Sequence, residues 1–289
     1  MALDASMLVA VTAAEVGAVH KLRTNTRRVE AQLTLLDLLT TGPNALQLPS
    51  YRQQAKVVRK RLSKVRRAAG IVRDLDVQTE AITFDAPAKT AVTEGTPGDE
   101  IRHQAKQLRK HLQRQRDVEA EKLVSVLKRQ ELKLADSLRE IEHIIKPALH
   151  ATIPQALLIQ RIEHWFAKET VALLALRKKD KKHDLQQTVA SIDEETLHAI
   201  RKAGKLCRYM AESAPQGSRA QRIAQHFEAI QEAGGKWHDW LLLQQLSAGY
   251  HGKKAALTQR YANHAQAALA DYHLRLAEQL PTVIEPTKP

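Results

Sequence analysis

The chain has 289 residues, with 45 Lys and Arg against 32 Asp and Glu, which gives a formal net charge of +13. This length allows a substantial core, and so basic a balance favours anionic partners: nucleic acid, a membrane surface or phosphate polymers. The single cysteine, Cys207, excludes an intramolecular disulfide and zinc sites built on several cysteines. Because we find no signal-peptide pattern and no charge-free apolar stretch of roughly 18 residues, we expect a cytoplasmic protein without a membrane partner.

The composition predicts an all-α fold. Aromatic residues make up 4% of the chain, and the dominant residues, Leu, Ala, Gln, Lys, Arg and Glu, are good helix formers. No segment alternates apolar and polar residues over the length of a strand, and no Gly-rich phosphate loop is present.

The first helix is predicted to begin near residue 4 or after Gly17 and to end before Gly42. One apolar seam follows it at spacings of three and four: Val19, Leu22, Thr26, Val29, Leu33 and Leu36. A second helix is predicted over about 49–80. Its seam consists of Val58, Leu62, Val65, Ala69 and Val72. Residues 84–98 are rich in Pro, Gly and Thr and are predicted to form a loop.

A long third helical segment is predicted over about 99–146, with a break near Gln130 left open. The next helix is predicted over about 154–178, with the seam Leu158, Ile162, Trp165 and Ala172. A polar stretch, 178–193, is interpreted as loop. The remaining helices are predicted over about 194–213, 218–247 and 253–280, the last ending at Pro281. The total is about eight helices.

The chain contains a weak internal repeat. Residues 19–23 (VHKLR) match 197–201 (LHAIR), and residues 69–74 (AGIVRD) match 234–239 (GGKWHD). The repeat predicts two halves of about four helices each, 1–150 and 151–289, related by a pseudo-twofold.

The basic charge is concentrated in the first half. Residues 19–73 hold thirteen Lys and Arg against two acids, and residues 101–116 hold six and none, whereas the rest of the chain has 26 basic and 30 acidic residues. A helical projection at 100° per residue gathers these basic residues into strips beside the apolar seams. Like charges three or four residues apart on a helix repel each other. The strips therefore need either a bound anion or a well-solvated face.

Each strip carries Arg, Lys or His, the residue types that bind phosphate oxygens. The opposite face of the second helix carries Lys56, Lys60 and Arg67, which we interpret as solvated surface. The strips themselves consist of His20, Arg23 and Arg27 on the first helix; Arg52, Arg59, Arg66 and Arg73 on the second; His103, Lys106 and Lys110 on the third; and His198, Arg201, Lys205 and Arg208 in the second half.

The segments VHKLRTNTRR (19–28), IVRDLDV (71–77) and LHAIRKAGKLCRY (197–209) resemble the CHAD family, the conserved histidine α-helical domain. The resemblance runs over about residues 5–280. It implies two pseudo-symmetric four-helix bundles that form one domain around a central basic groove or pore. It also implies binding of inorganic polyphosphate and association with polyphosphate granules. We expect no cofactor, metal or enzymatic activity, because no H-x-x-x-H or HD-type pair with a third ligand appears at metal spacing.

The family pattern matches His20, Arg23, Arg27 and Arg73 in the first half and His198, Arg201, Lys205 and Arg208 in the second. The second half departs from it, since His238 stands in place of Arg73 and Leu206 in place of Arg28. We therefore expect weaker binding there. The full set of predicted polyphosphate-binding residues is His20, Arg23, Arg27, Arg28, Arg52, Arg59, Arg66, Arg73, His103, Lys106, Lys110, His198, Arg201, Lys205, Arg208 and Arg222.

A metal-dependent phosphohydrolase is one alternative. Its candidate residues are Asp74, Asp76, His238 and Asp239. We interpret Asp74 and Asp239 as structural carboxylates that pair with a strip arginine or cap a turn. His143 and His150 are interpreted as surface residues.

Nucleic-acid binding is a second alternative, which we expect to be weak and dependent on salt. The strips carry no interleaved aromatic residues for base stacking. Trp165, Trp237 and Trp240 lie at seam-like positions and are predicted to be core residues. A helical signalling module is a third alternative, supported by nothing beyond the fold class.

Overall fold

The computed structural model describes residues 3, 6–7, 9–10, 14–42, 45–85, 97–169, 189–212, 214 and 218–284. Within these residues we find no strand, and the predicted all-α class is confirmed. The helices whose bounds lie within the described residues are α1 (Val16–Leu39), α2 (Tyr51–Asp85), α3 (Pro97–Ile145), α4 (Gln155–Glu169), α5 (Glu194–Ala211), α6 (Arg219–His251) and α7 (Ala256–Ile284), with a 3-10 turn at Lys146–Ala148 after α3. None of the described helices is long and apolar enough to cross a membrane.

The α3 helix is continuous over 49 residues, so the break considered near Gln130 does not occur. No Gly or Pro interrupts residues 99–145, and buried leucines lie on both sides of Gln130, at Leu127 and Leu134. The helix therefore keeps its core contacts on both sides of this position and has no reason to end there. It ends at Ile145, two residues before Pro147.

The end of α7 corrects a second prediction. The helix continues through Pro281 to Ile284 instead of ending at the proline. A proline removes one backbone N–H donor from a helix. Because Pro281 lies only three residues before the end of α7, the helix loses little by continuing past it.

Glycine ends one other helix. Gly252 has a φ of +95°, follows the last residue of α6, and donates its N–H to the carbonyl of Ala248 at 3.0 Å. The left-handed backbone there favours glycine and stops the helix. Gly42, three residues after the end of α1, also has a left-handed backbone, with a φ of +83°.

The predicted apolar seams hold for α1 and α2. All five seam residues of α2 are at most 1% exposed. On α1, Val19, Leu22, Thr26 and Leu33 are buried, whereas Val29 and Leu36 are half-buried. The spacing of apolar residues thus located the buried face of both helices.

The seam predicted for α4 is wrong by one position. The buried residues are Ile159, Ile162 and Phe166, whereas Leu158 and Trp165 are half-buried. Phe166 makes an edge contact with Phe227 of α6, with ring centroids 5.1 Å apart, and this contact fixes which face of α4 is buried. The predicted seam residue Ala172 lies outside the described residues.

The chain folds as two compact units. Unit 1 comprises residues 1–27, 53–143 and 238–265, and unit 2 comprises 28–52, 144–237 and 266–289. The largest buried side chains of unit 1 include Leu108, Leu112 and Tyr261, and those of unit 2 include Phe227 and Tyr272. Both units draw on both halves of the sequence, so they are not the predicted repeats. The division into repeats at residue 150, with its pseudo-symmetric bundles, stays a prediction.

Candidate functional site

The basic strip of α1 in unit 1 lies beside the buried seam, as the helical projection predicted. Arg23 and Arg27 are half-buried and His20 is exposed. The neighbouring seam residues Val19 and Leu22 are fully buried. Arginine can occupy such a border because its aliphatic stem covers apolar surface while the guanidinium stays near water.

Three arginines of α2 in unit 1 occupy the same kind of border. Arg59, Arg66 and Arg73 are half-buried, and each directly follows a fully buried valine of the seam. Their spacing of seven residues keeps them on one side of the helix. The earlier member of the series, Arg52, is exposed and belongs to unit 2.

The strips of α1 and α2 meet around Arg23. The Arg23 guanidinium donates to Asp74 Oδ1 at 2.7 Å. Burial lowers the pKa of Arg66, and the positive charge of Arg23 lowers the pKa further. Arg66 is therefore partly desolvated and feels the charge of Arg23, so a bound anion would stabilise its charged form. The predicted pairing of Asp74 with a strip arginine is confirmed.

The third predicted strip is at the surface. His103, Lys106 and Lys110 of α3 are all exposed, and His103 Nε2 lies 3.5 Å from Gln107 Nε2 on the next turn. This strip lacks the partial burial of the α1 and α2 arginines.

In unit 2 the second predicted histidine is held by its neighbours on α5 and α6. The side chain of Asp193 caps α5 by accepting from the Thr196 N–H at 2.8 Å, and this hydrogen bond lowers the pKa of Asp193. One turn on, His198 is half-buried against Trp237, with ring centroids 4.8 Å apart, and its Nε2 lies 3.5 Å from Glu194. His198 thus differs from the exposed His20, its predicted counterpart.

The tryptophans only partly match their predicted core positions. Trp237 is 3% exposed and is confirmed as a core residue. Trp165 and Trp240 are half-buried. Trp240 packs at the edge of the unit 1 core, against Tyr261 and His264.

Arg201 and Lys205 continue the α5 strip and are half-buried. Arg201 packs where α6 carries Gly234. A Cβ added to Gly234 would lie 2.8 Å from Tyr272 Cζ and 3.1 Å from Arg201 Cγ. The glycine therefore sets how closely the stem of Arg201 approaches α6.

Two predicted site residues of unit 2, Arg28 and Arg208, lie around one acid, Glu212. Arg208 Nε donates to Glu212 Oε1 at 2.9 Å and Arg208 Nη2 lies 3.0 Å from Glu228 Oε1, while Arg28 Nε is 3.5 Å from Glu212 Oε2. Both guanidinium groups also lie over the ring of Tyr209. Sequence reasoning missed Glu212, although its position four residues after Arg208 on a helix was a usable signal. The last predicted residue, Arg222, is exposed.

Sequence reasoning also missed Arg116 of α3. Its Nε donates to Asp76 Oδ1 at 3.0 Å, and it also donates to the carbonyl of Ala14. The Asp76 side chain is only 5% exposed. Asp76, one of the considered metal ligands, is thus an acceptor in a largely buried ion pair.

The other considered metal ligands do not assemble into a larger cluster. His238 Nδ1 lies 3.7 Å from Asp239 Oδ1. In the part of the chain that the structure describes, no three His, Cys, Asp or Glu side chains are grouped so that they could hold a metal ion. His143 and His150 are exposed, as predicted.

Comparisons with known proteins agree with the helical architecture. The fold is similar to the crystal structure of the CHAD domain from the plant Ricinus communis, with a TM-score of 0.58 at 15% sequence identity, over 99% of this chain and 88% of that chain. A comparison with curated proteins found no match. The family model of the CHAD domain matches residues 5–248, most of the sequence. The chain belongs to the CHAD domain family.

Proposed function

We propose that this protein binds inorganic polyphosphate through the basic residues of α1 and α2 in unit 1. We call this set the α1–α2 strip: His20, Arg23, Arg27, Arg59, Arg66 and Arg73. The observation that carries the proposal is that half-buried arginines of both helices border the buried seams and that the two strips meet where Arg23 of α1 contacts Asp74 of α2, the residue after Arg73. Burial and, to a smaller extent, the charge of Arg23 lower the pKa of Arg66.

The spacing of the strip favours a polymer over a single phosphate. Arg59, Arg66 and Arg73 lie at successive intervals of seven residues, which spans about 21 Å along the helix axis. A single phosphate reaches one of these positions, whereas a linear chain with about one negative charge per repeat reaches all of them. Each guanidinium offers a planar fork of donors that fits phosphate oxygens.

Unit 2 supplies the weaker contacts in this proposal. Glu212 and Glu228 offset the charges of both Arg28 and Arg208. In the α1–α2 strip, Asp74 offsets the charge of Arg23 in the same way. His198, Arg201 and Lys205 remain candidate contacts. We further propose that this protein is cytoplasmic, associates with polyphosphate granules and has no enzymatic activity. A phosphatase activity dependent on magnesium or manganese would overturn this last point.

Nucleic acid is the competing polyanion. Proteins that bind single-stranded nucleic acid use exposed aromatic rings for base stacking. Tyr209 and Trp237, which contact the predicted site residues Arg28, Arg208 and His198, are buried. Long-chain polyphosphate should therefore displace DNA at far lower phosphate equivalents than the reverse. DNA that wins this competition at near-physiological salt would contradict the assignment.

The direct test changes Arg23, Arg27 and Arg73 together to Ala. We expect the affinity for long-chain polyphosphate to fall by at least about 100-fold, since each charge-assisted hydrogen bond contributes roughly 1.5–3 kcal/mol. Binding is measured by titration calorimetry, and circular dichroism checks that the helices are intact.

The matched control changes Lys56, Lys60 and Lys128 to Ala. It removes the same number of positive charges from exposed positions of α2 and α3. We expect it to cost less than about threefold in affinity, because exposed charges outside the site act only through screened long-range attraction. Equal losses in the two triple variants would favour a diffuse charged surface over a site.

A further inference from the structure

A second basic cleft lies between α2 and α3 in unit 1. It has a volume of about 510 Å³, and its charged rim consists of Lys64 and Arg67 from α2 and Arg129 and Lys133 from α3. Apolar side chains, among them Val126, form part of its wall. None of these four cations belongs to the α1–α2 strip, and sequence reasoning assigned Arg67 to the solvated face.

The four cations of this cleft have no ion-pair partner among the described residues. Arg129 donates only to the carbonyl of Ser125 on its own helix. The one acid in the lining, Glu119, is paired with Lys122 at 2.6 Å. Within the described part of the chain, the cleft therefore presents four positive charges that no acid offsets, two on each wall.

This basic cleft adjoins a larger apolar one. The second cleft has a volume of about 710 Å³, is lined by parts of α2, α3 and α6, and shares Ile71 and Glu119 with the first. Two large apolar side chains in its lining are exposed, Ile71 by 44% and Val118 by 53%. The acids in this lining, Asp74 and Glu119, are paired with Arg23 and Lys122.

We propose that the two clefts together bind a soluble amphiphilic anion. Its phosphate or similar oxyanion head lies between the cationic walls, and its apolar chain lies along Ile71 and Val118. Charge complementarity selects the head, and both clefts fall within the volume range typical of small-ligand sites, about 300–1,000 Å³. Inorganic polyphosphate has no apolar part that could occupy the larger cleft, and none of the four cations belongs to the α1–α2 strip. The proposed amphiphile site is therefore distinct from the strip.

The test is a series of monoalkyl phosphates: butyl, hexyl and octyl phosphate, titrated below their micelle concentrations with inorganic phosphate as the reference. Each CH₂ group that leaves water strengthens binding by up to about fourfold. We therefore expect affinity to increase along the series. If octyl phosphate binds no more tightly than inorganic phosphate, the proposal is wrong.

Two pairs of variants locate the head and the chain. Arg129→Glu should weaken binding of every alkyl phosphate by about tenfold or more, since it reverses a charge that contacts the head. Lys128→Glu makes the same change at the neighbouring exposed position, outside the cleft lining, and should have a much smaller effect. Val118→Ser should flatten the dependence on chain length, whereas Leu132→Ser, at a 76% exposed position outside both linings, should preserve it.

Several outcomes would overturn the proposal. Equal losses in Arg129→Glu and Lys128→Glu, or equal slopes in the two serine variants, would mean that the ligand does not occupy the clefts. Binding to vesicles of phosphatidic acid without binding to octyl phosphate would indicate a membrane-facing surface instead. A variant with Arg27 and Arg59 changed to Ala weakens the α1–α2 strip but keeps the Arg23–Asp74 pair of the larger cleft. It should bind octyl phosphate normally, so failure of one site can be told from failure of the other.

Discussion

At the scale of single residues, the ion pair between Arg116 and Asp76 is largely buried. The Asp76 side chain is 5% exposed and the Arg116 side chain 21% exposed. A carboxylate this deep is tolerable only while its charge is compensated by a nearby cation and by hydrogen bonds. Arg116 also ties α3 to the carbonyl of Ala14. This residue therefore has a structural role and is a poor candidate for binding polyphosphate.

We predict that Arg116→Met lowers the free energy of unfolding by about 3 kcal/mol, because it leaves the Asp76 carboxylate buried without its cation. Urea denaturation monitored by circular dichroism measures the loss. The control Arg109→Met removes an arginine from an exposed position of the same helix and should change stability by less than about 0.5 kcal/mol. Similar losses in both variants would show that the pair contributes little.

The two aspartates of the sequence RDLD show what could be predicted at this scale. The pairing of Asp74 with a strip arginine was one of the two structural roles predicted for it, the other being a turn cap. The partner of Asp76 was not predicted. Arg116 is 40 residues away in sequence, and only the packing of α2 against α3 in unit 1 brings the two charges together.

At the scale of helices, α6 contains two adjacent glycines with different environments. A Cβ at Gly234 would lie 2.8 Å from the Tyr272 ring, whereas a Cβ at Gly235 would meet nothing within 4 Å. Tyr272 is held in place, since it is fully buried and its hydroxyl donates to the carbonyl of Leu197 at 3.1 Å. The packing of Tyr272 therefore requires glycine at position 234. At position 235, glycine makes no close contact and only lowers the stability of the helix.

We predict opposite effects on stability for the two alanine variants. Gly235→Ala should raise the free energy of unfolding by about 0.5–1 kcal/mol, the usual gain in a helix interior. Gly234→Ala should lower it by about 1–2 kcal/mol, since overpacking against Tyr272 outweighs that gain. Thermal unfolding of the two variants beside the wild type provides the measurement. A stabilising Gly234→Ala would show that the ring of Tyr272 moves aside freely.

Helix existence and the buried faces of α1 and α2 could be predicted because they depend on local spacing. The seam of α2, for example, repeats at intervals of three and four without exception. The seam of α4 could not be placed, because Leu158 and Ile159 are equally apolar neighbours. Only the contact of Phe166 with Phe227 decides between the two faces. The extension of α7 past Pro281 likewise depends on the three-dimensional structure, since a proline near a helix end is tolerated at moderate cost.

At the scale of the whole molecule, the two compact units could not be predicted from the repeat. Unit 1 is assembled from three separate stretches of sequence, and unit 2 from the remaining three. Sequence similarity between two halves indicates a common origin. A compact unit, in contrast, is defined by the helices that pack together. The predicted site is divided between the units in the same way. Six of its residues on α1 and α2 lie in unit 1, whereas Arg28 and Arg52, on the same two helices, lie in unit 2.

The charge of the whole molecule offers a competing explanation for any binding of polyanions. A net charge of +13 attracts phosphate polymers without a site. Local and diffuse attraction differ in their response to salt. Binding releases counterions in proportion to the number of phosphates neutralised, with a slope of about 0.7 per contact on a logarithmic plot for single strands. Five strip arginines therefore predict a slope of about 3 to 4 for the α1–α2 strip.

The decisive comparison is between Arg73→Ala and Lys128→Ala. Both variants lower the net charge by one, but only Arg73 belongs to the proposed strip. We predict that Arg73→Ala reduces the salt slope for long-chain polyphosphate by about 0.7, because one phosphate contact is lost. Lys128→Ala should leave the slope unchanged within error. Fluorescence anisotropy of labelled polyphosphate over a salt series measures both. If the two slopes fall equally, the binding energy comes from the summed field of the molecule, and the half-buried arginines of α1 and α2 do not form a site.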